Sequence, residues 1–266
     1  MSSPWRETLH LLLAPHRVAL RRSARGWRPA IVQSAHAEID SGDVHWAAAV
    51  DALAALLASA PARGADAHVI VSNHFVRYAL VPDNVLLVTQ DDRLRYARHN
   101  FVRVHGPAAE RWSVRVGGAA GAAIASAVEP ELVDALRALL ARNGLRACAL
   151  QPALMAAFNA VRPQLPAAGV RLFVVEPGIA VSATWRQGWR RVRSHRLAQA
   201  PAQDLPMLID RERALDDDAD DAPVCVLPLL PVDAAFDADE ARTLPPLWPD
   251  AASDGRATES DARKAA

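Results

Sequence analysis

The sequence predicts a mixed chain built of α/β or α+β layers. Short runs that alternate with period two or are continuously apolar come in clusters, and single stretches of helical period separate them, as layered architectures require. The 266 residues are 51% hydrophobic, enough to bury a core without covalent staples. Only Cys148 and Cys225 are present, so neither a disulfide framework nor a C-x-x-C metal cluster organises the fold. Each is expected as an inert thiol buried in a strand.

Residues 16–24 and 27–36 alternate around Arg25-Gly26 and read as a hairpin. Residues 43–60 then switch to helical period, with Asp43 as the expected N-cap and Pro61 and Gly64 as the stop. Two strands follow at 67–72 and 75–81, the second ended by Pro82. The charged stretch 89–101 predicts a helix with a solvated face. Strands are expected at 111–116 and 122–128, around the small-residue turn Gly117-Gly118-Ala119-Ala120-Gly121. Pro130 suits the first helical turn, leucines recur at helical spacing, and Asn143-Gly144 supplies a stop. A strand at 145–150, a helix at 152–161 and strands at 170–175, 179–185 and 189–197 complete the clear pattern. Beyond Ala200 a helix is expected at 205–215 and an apolar run at 224–230. From Val232 onwards Ala, Asp and Pro without period predict disorder.

The chain carries 30 basic and 30 acidic side chains. The cancellation hides a split: residues 1–200 hold 24 basic and 14 acidic groups, and residues 201–266 hold 6 and 16. Lys264 is the single lysine, a bias that reflects nucleotide composition and discourages reading every arginine as a ligand. No apolar run approaches the 18 or so residues of a membrane span. Leu11-Leu12-Leu13, close to Glu7, is too short for a signal peptide. A cytoplasmic location follows. No repeat of solenoid length is visible.

Four local features invite a chemical reading. The nine histidines show no i, i+4 pair and no ligand spacing with cysteine or carboxylates, so no metal site is expected. Ser72-Asn73-His74 forms a polar island between strands, which a backbone-capping turn explains, and no G-x-S-x-G elbow accompanies it. The glycine cluster 117–121 precedes a strand where a phosphate loop would precede a helix. Residues 185–196 place Arg186, Arg190, Arg191, Arg193 and Arg196 beside Trp185 and Trp189, as a single-stranded nucleic-acid site would. Alternation along a strand divides that cluster between two faces, so nucleic-acid binding is the weakest alternative.

The element order resembles the PilM family, actin-like cytoplasmic proteins of type IV pilus assembly, and the GspL-like proteins of type II secretion. Val18-Ala19-Leu20-Arg21-Arg22-Ser23 stands where the family has its opening V-A-I-D-I-G strand. Val69 to Pro82 follows the family's strand, polar turn and second strand ending in Leu-Pro. Gly144-Leu145 with Leu150-Gln151-Pro152 matches its Gly-Leu step, and Val174-Val175-Glu176-Pro177-Gly178 its second D-x-G turn. The likeness covers roughly residues 16–200. It implies an actin-like or ribonuclease-H-like scaffold over 1–200 with an inserted subdomain near 66–128, completed by 201–231 and followed by a disordered acidic tail, 232–266.

The resemblance also implies a function and a set of departures. Members of the family dock a short cytoplasmic peptide of a bitopic inner-membrane protein in a groove between subdomains, which implies a peripheral place at that membrane and a groove in which Arg77 takes part. Actin-like ATPases cradle phosphates in two Asp-Gly hairpin turns. In this chain the first such positions hold Arg21 and Ser23. The second turn keeps Glu176 and Gly178, while Pro177 has no N–H to donate. The adenosine segment would fall beyond Ala200. A degenerate scaffold that hydrolyses no ATP is therefore expected; the alternative is an ATPase binding ATP and magnesium through Glu176 and Gly178.

Overall fold

The computed structural model describes residues 6–24, 30–40, 42, 44–117, 121–164, 169–215, 222–231 and 241–249. The turn at Arg25-Gly26, the expected cap Asp43, the middle of the glycine cluster, the acidic run 216–221 and most of the tail lie outside the described residues. The chain divides into two compact units, Met1–Met155 and Ala156–Ala266.

Along the first unit run β1 (Thr8–Leu13), β2 (Arg17–Ser23), β3 (Ile31–Glu38), α1 (Trp46–Ser59), β4 (Asp66–Val71), β5 (Arg77–Val81) and α2 (Gln90–His105). After them come β6 (Ser113–Val116), β7 (Ala123–Val128), α3 (Pro130–Arg142) and β8 (Arg146–Pro152). Helix α4 (Ala153–Val161) straddles the boundary. The second unit holds β9 (Val170–Glu176), β10 (Ile179–Trp185), β11 (Trp189–Arg196), α5 (Pro201–Ala214), β12 (Val224–Pro228) and β13 (Ala241–Thr243).

The first sheet has the order β3-β2-β1-β4-β8. Strands β1, β2 and β3 form an antiparallel meander, and β4 and β8 join parallel on the other side of β1. Leu9, Leu11 and Leu13 of β1 alternate onto one face, where Leu53 and Leu57 of α1 and Leu132, Leu136 and Leu139 of α3 close a core with Val69 and Val71. Periodicity alone did not reveal β1, because a strand buried on both faces loses its alternation and reads as an apolar run. Val18–Ser23 consequently belongs to the second strand, not the opening one: Arg21 lies mid-strand opposite His10, and Ser23 opposite Thr8. Neither sits at a hairpin turn. Helix α1 is capped by His45, whose Nδ1 accepts from the Ala47 N–H at 3.2 Å.

Between β4 and α3 a second, three-stranded sheet of order β5-β7-β6 carries its own core of Val81, Phe101, Val114 and Ala125 under α2. Thr89 and Asp92 form a reciprocal capping box at the start of α2. The charged face expected to be solvated has one exception, since Arg93 is buried and donates to the Gly121 carbonyl. The glycine segment is followed by β7, not by a helix.

The second unit repeats the first sheet's topology without a visible sequence repeat. Its order is β11-β10-β9-β12-β13, again an antiparallel meander with parallel strands added beside its first strand. Leu205, Leu208 and Ile209 of α5 pack on Phe173, Val175, Val224 and Val226. Helix α5 begins earlier than its spacing suggests, with Pro201 in the first turn and Pro206 inside; a first-turn proline gives up no intrahelical bond. Strand β13 lies in the stretch expected to be disordered, held by parallel pairing with β12. Of the cysteines, Cys225 is half-buried and burial pushes its thiol pKa up, whereas Cys148 is exposed on the edge strand β8, against expectation. Among the described residues no helix is long and apolar enough to cross a membrane.

Leu53 is fully buried between α1 and the first sheet. Leu53→Ala is expected to cost about 3 kcal/mol, read as a lower urea midpoint, while Val104→Ala on the exposed face of α2 stays within about 0.5 kcal/mol of the parent.

Candidate functional site

Each meander opens on a hairpin turn, the kind of turn in which the resemblance sets the phosphate grip of actin-like ATPases. In the first unit the turn is Ala14-Pro15-His16, closed by the Ala14 N–H donating to the Arg17 carbonyl at 3.1 Å. In the second it is Glu176-Pro177-Gly178, with Gly178 at φ +79°, a conformation that suits glycine. Proline occupies the centre of both, so each turn presents one backbone donor fewer. The first turn has no carboxylate at all. Glu176 is only 2% exposed at the end of β9. Among the described residues no group of three or more His, Cys, Asp or Glu could hold a metal ion. Each turn thus offers a phosphate one backbone donor fewer than an Asp-x-Gly turn would.

Arg77 lies elsewhere, at the start of β5 in the first unit. Its guanidinium donates to the His74 and Val76 carbonyls at 3.0 and 3.2 Å, which fixes one guanidinium nitrogen beside a cavity of about 100 Å³. Trp46, Phe75 and Trp112 form apolar walls, and His74 and Glu129 supply polar edges. Trp46 is pinned by its indole N–H donating to Glu129 Oε2 at 2.7 Å, and Trp112 packs on Phe101 and His105. Burial, followed by the Arg77 charge, lowers the His105 pKa. The cavity thus joins a cation, hydrogen-bonding groups and rigid aromatic surface. The polar island beside it is structural: Ser72 Oγ accepts from the His74 N–H at 3.1 Å, and Asn73 Oδ1 accepts from Leu154 N–H and the Tyr78 hydroxyl.

The arginine and tryptophan cluster of 185–196 does not make a stacking platform. Trp189 is buried, with its ring 4.4 Å from Phe158, and Trp185 packs on the same ring at 5.9 Å. Arg191 donates to the Leu215 carbonyl and Arg193 to Glu212, leaving Arg190 and Arg196 exposed. The arginines therefore part between two faces as alternation requires.

Inside the second unit lies a polar network that the sequence reading missed. Arg211 Nη2 donates to His195 Nδ1 at 2.7 Å, which assigns the proton of a neutral imidazole to Nε2. Nε2 faces Ser182 Oγ at 3.0 Å, and the Ser182 hydroxyl donates to Glu212 Oε2 at 3.3 Å. Arg193 completes the network with Glu212 Oε1 at 3.5 Å. Ser182 and Glu212 are buried. The available signal was Ser182 and Thr184 at alternate positions of an otherwise apolar strand.

No protein-family model matches the chain, and no curated protein does. Solved structures do. A Bacteroides thetaiotaomicron protein of unknown function with an actin-like ATPase fold superposes with a TM-score of 0.62 at 8% identity, over 91% of each chain. The fold is actin-like. The cytoplasmic domain of EpsL, an inner-membrane component of the type II secretion system of Vibrio cholerae, gives 0.59 at 13% identity over 90% of this chain and 89% of that one. A chain of the PilM–PilN type IV pilus biogenesis complex gives 0.57 at 16% identity over 83% and 81%. The fold is thus shared with pilus and secretion assembly proteins.

Burial lowers the His195 pKa; Glu212 opposes the shift, and Arg211 and Arg193 add to it. A depressed folded-state pKa means that the unfolded chain takes up the proton first as pH falls, so stability is complete above about 6.5 and declines below it. In thermal melts from pH 7.5 to 5.5, His195→Gln should flatten the decline. A residual slope remains from His10 and His105, whose pKa values burial also lowers.

Proposed function

We propose that this chain is a non-hydrolytic actin-like scaffold that docks on an inner-membrane protein of pilus or secretion assembly. The observation that carries the reading is the pair of proline-centred turns, Ala14-Pro15-His16 and Glu176-Pro177-Gly178, on a fold whose ATPases need backbone donors and carboxylates there. An actin-like body stripped of its phosphate grip keeps its surfaces, and its use becomes binding.

The groove proposed for the partner is the cavity beside Arg77. Its aromatic walls would take apolar side chains of a short cytoplasmic peptide, and Arg77 a carbonyl or carboxylate of the same segment. Peptide anchors of that kind favour preformed, water-excluding pockets. The fold shared with the EpsL cytoplasmic domain and with the PilM–PilN complex supports this choice of partner class. Among the described residues no helix is long and apolar enough to cross a membrane.

Titration calorimetry with the cytoplasmic N-terminal peptides of bitopic proteins encoded beside this chain tests the reading. Binding is expected, and Arg77→Glu, an exposed position, should weaken it by about tenfold, roughly 1.4 kcal/mol; absence of binding to every such peptide overturns the docking role. Magnesium-ATP is expected to leave the melting temperature unchanged. A rise that saturates with nucleotide would favour the ATPase alternative through Glu176 and Gly178.

A further inference from the structure

Two features far apart in the sequence are unused by the proposed docking function. The first is the tip between β5 and α2. Val85, Leu86 and Val88 are 88%, 79% and 80% exposed, an aliphatic knob with no charged residue from Asn84 to Gln90. The tip is held, not loose: Asn84 Oδ1 accepts from the Leu86 N–H at 2.8 Å, Leu87 N–H donates to the Asn84 carbonyl at 2.9 Å, and Leu87 packs into the core under α2. Exposed acids flank it, Asp83 before and Asp91 after.

The second feature is a cavity of about 250 Å³ in the second unit, between the end of β11 and α5. Leu197, Ala198, Met207 and Leu208 give it an apolar lining, and His195, Arg196, Arg211 and Asp204 line it as well, two arginines against one carboxylate. Its carboxylate, Asp204, is turned to the Ala198 and Gln199 N–H groups at 2.7 and 2.9 Å. The cavity therefore presents apolar surface framed by positive charge. Met207 is 72% exposed.

We propose that the 83–91 tip of one copy seats in the β11–α5 cavity of a second copy. Knob and cavity are both aliphatic, and their flanking charges are opposite, acidic around the tip and basic around the cavity. Large exposed apolar groups on a soluble chain mark a contact surface, and a tip already ordered loses little freedom on binding. The acids on both sides of the tip disfavour an anionic lipid surface as its destination. Because the two surfaces differ, the contact is heterologous, so each added copy leaves one tip and one cavity available for the next.

Sedimentation velocity of the full chain, in reductant because Cys148 is exposed, should show a mass that climbs with concentration and falls with added salt. Leu86→Asp removes the knob, and Met207→Asp blocks the cavity; both positions are exposed, and unchanged melting temperatures confirm intact folding. Each variant alone is expected to stay monomeric. An equal mixture of the two should form a one-to-one dimer and stop, because only one competent tip and one competent cavity can meet. Arg196→Glu serves as a second cavity variant should Met207→Asp disturb folding. A wild-type chain that is monomeric throughout, variants that associate unchanged, or a mixture that stays monomeric each overturns the proposal. So does flotation with anionic vesicles that depends on Leu86 in a chain that does not self-associate.

Discussion

A strand buried on both faces must have both of its edges hydrogen-bonded, and that requirement organises each unit around a single strand. In the first it is β1, clasped by β2 on one side and β4 on the other; in the second it is β9, whose seven residues are all buried, between β10 and β12. Unpaired backbone groups at such depth would cost as much as the packing contributes. The antiparallel neighbour can follow directly through a hairpin, whereas the parallel one needs a crossover. The hairpin turns of the candidate phosphate positions, the helices α1 and α5, and the insertion carrying Arg77 all occupy places left by that one demand.

Much of this was legible because local signals agree with tertiary need. Thr89 and Asp92 announce the start of α2, and Pro130 with Gly144 brackets α3. Elements whose stability comes from pairing were not legible. The Leu11-Leu12-Leu13 run lacks alternation, and Ala241–Thr243 has no pattern of its own and becomes a strand only beside β12. Missing β1 also made Val18–Ser23 read as the opening strand, whereas Arg21 and Ser23 lie in β2. At the candidate site, Glu176, Gly178 and Arg77 were visible as residue types, but a cavity assembled from Trp46, Phe75 and Trp112 depends on a chain path that no spacing encodes. The same holds for Ser182, His195 and Glu212, drawn from two strands and a helix.

The fold and the chemistry point in different directions, and the difference is informative. Actin-like architecture usually suggests nucleotide-driven movement, yet fold alone assigns no activity. What the side chains provide instead is fixed surface: an arginine tied to two carbonyls, indoles held by a carboxylate and by neighbouring rings, and a buried network that fastens α5 to its sheet.

The prolines at residues 15 and 177 each remove one main-chain donor, at turns 162 residues apart in sequence. A single substitution therefore restores a donor to one turn only, and the first turn would still lack a carboxylate.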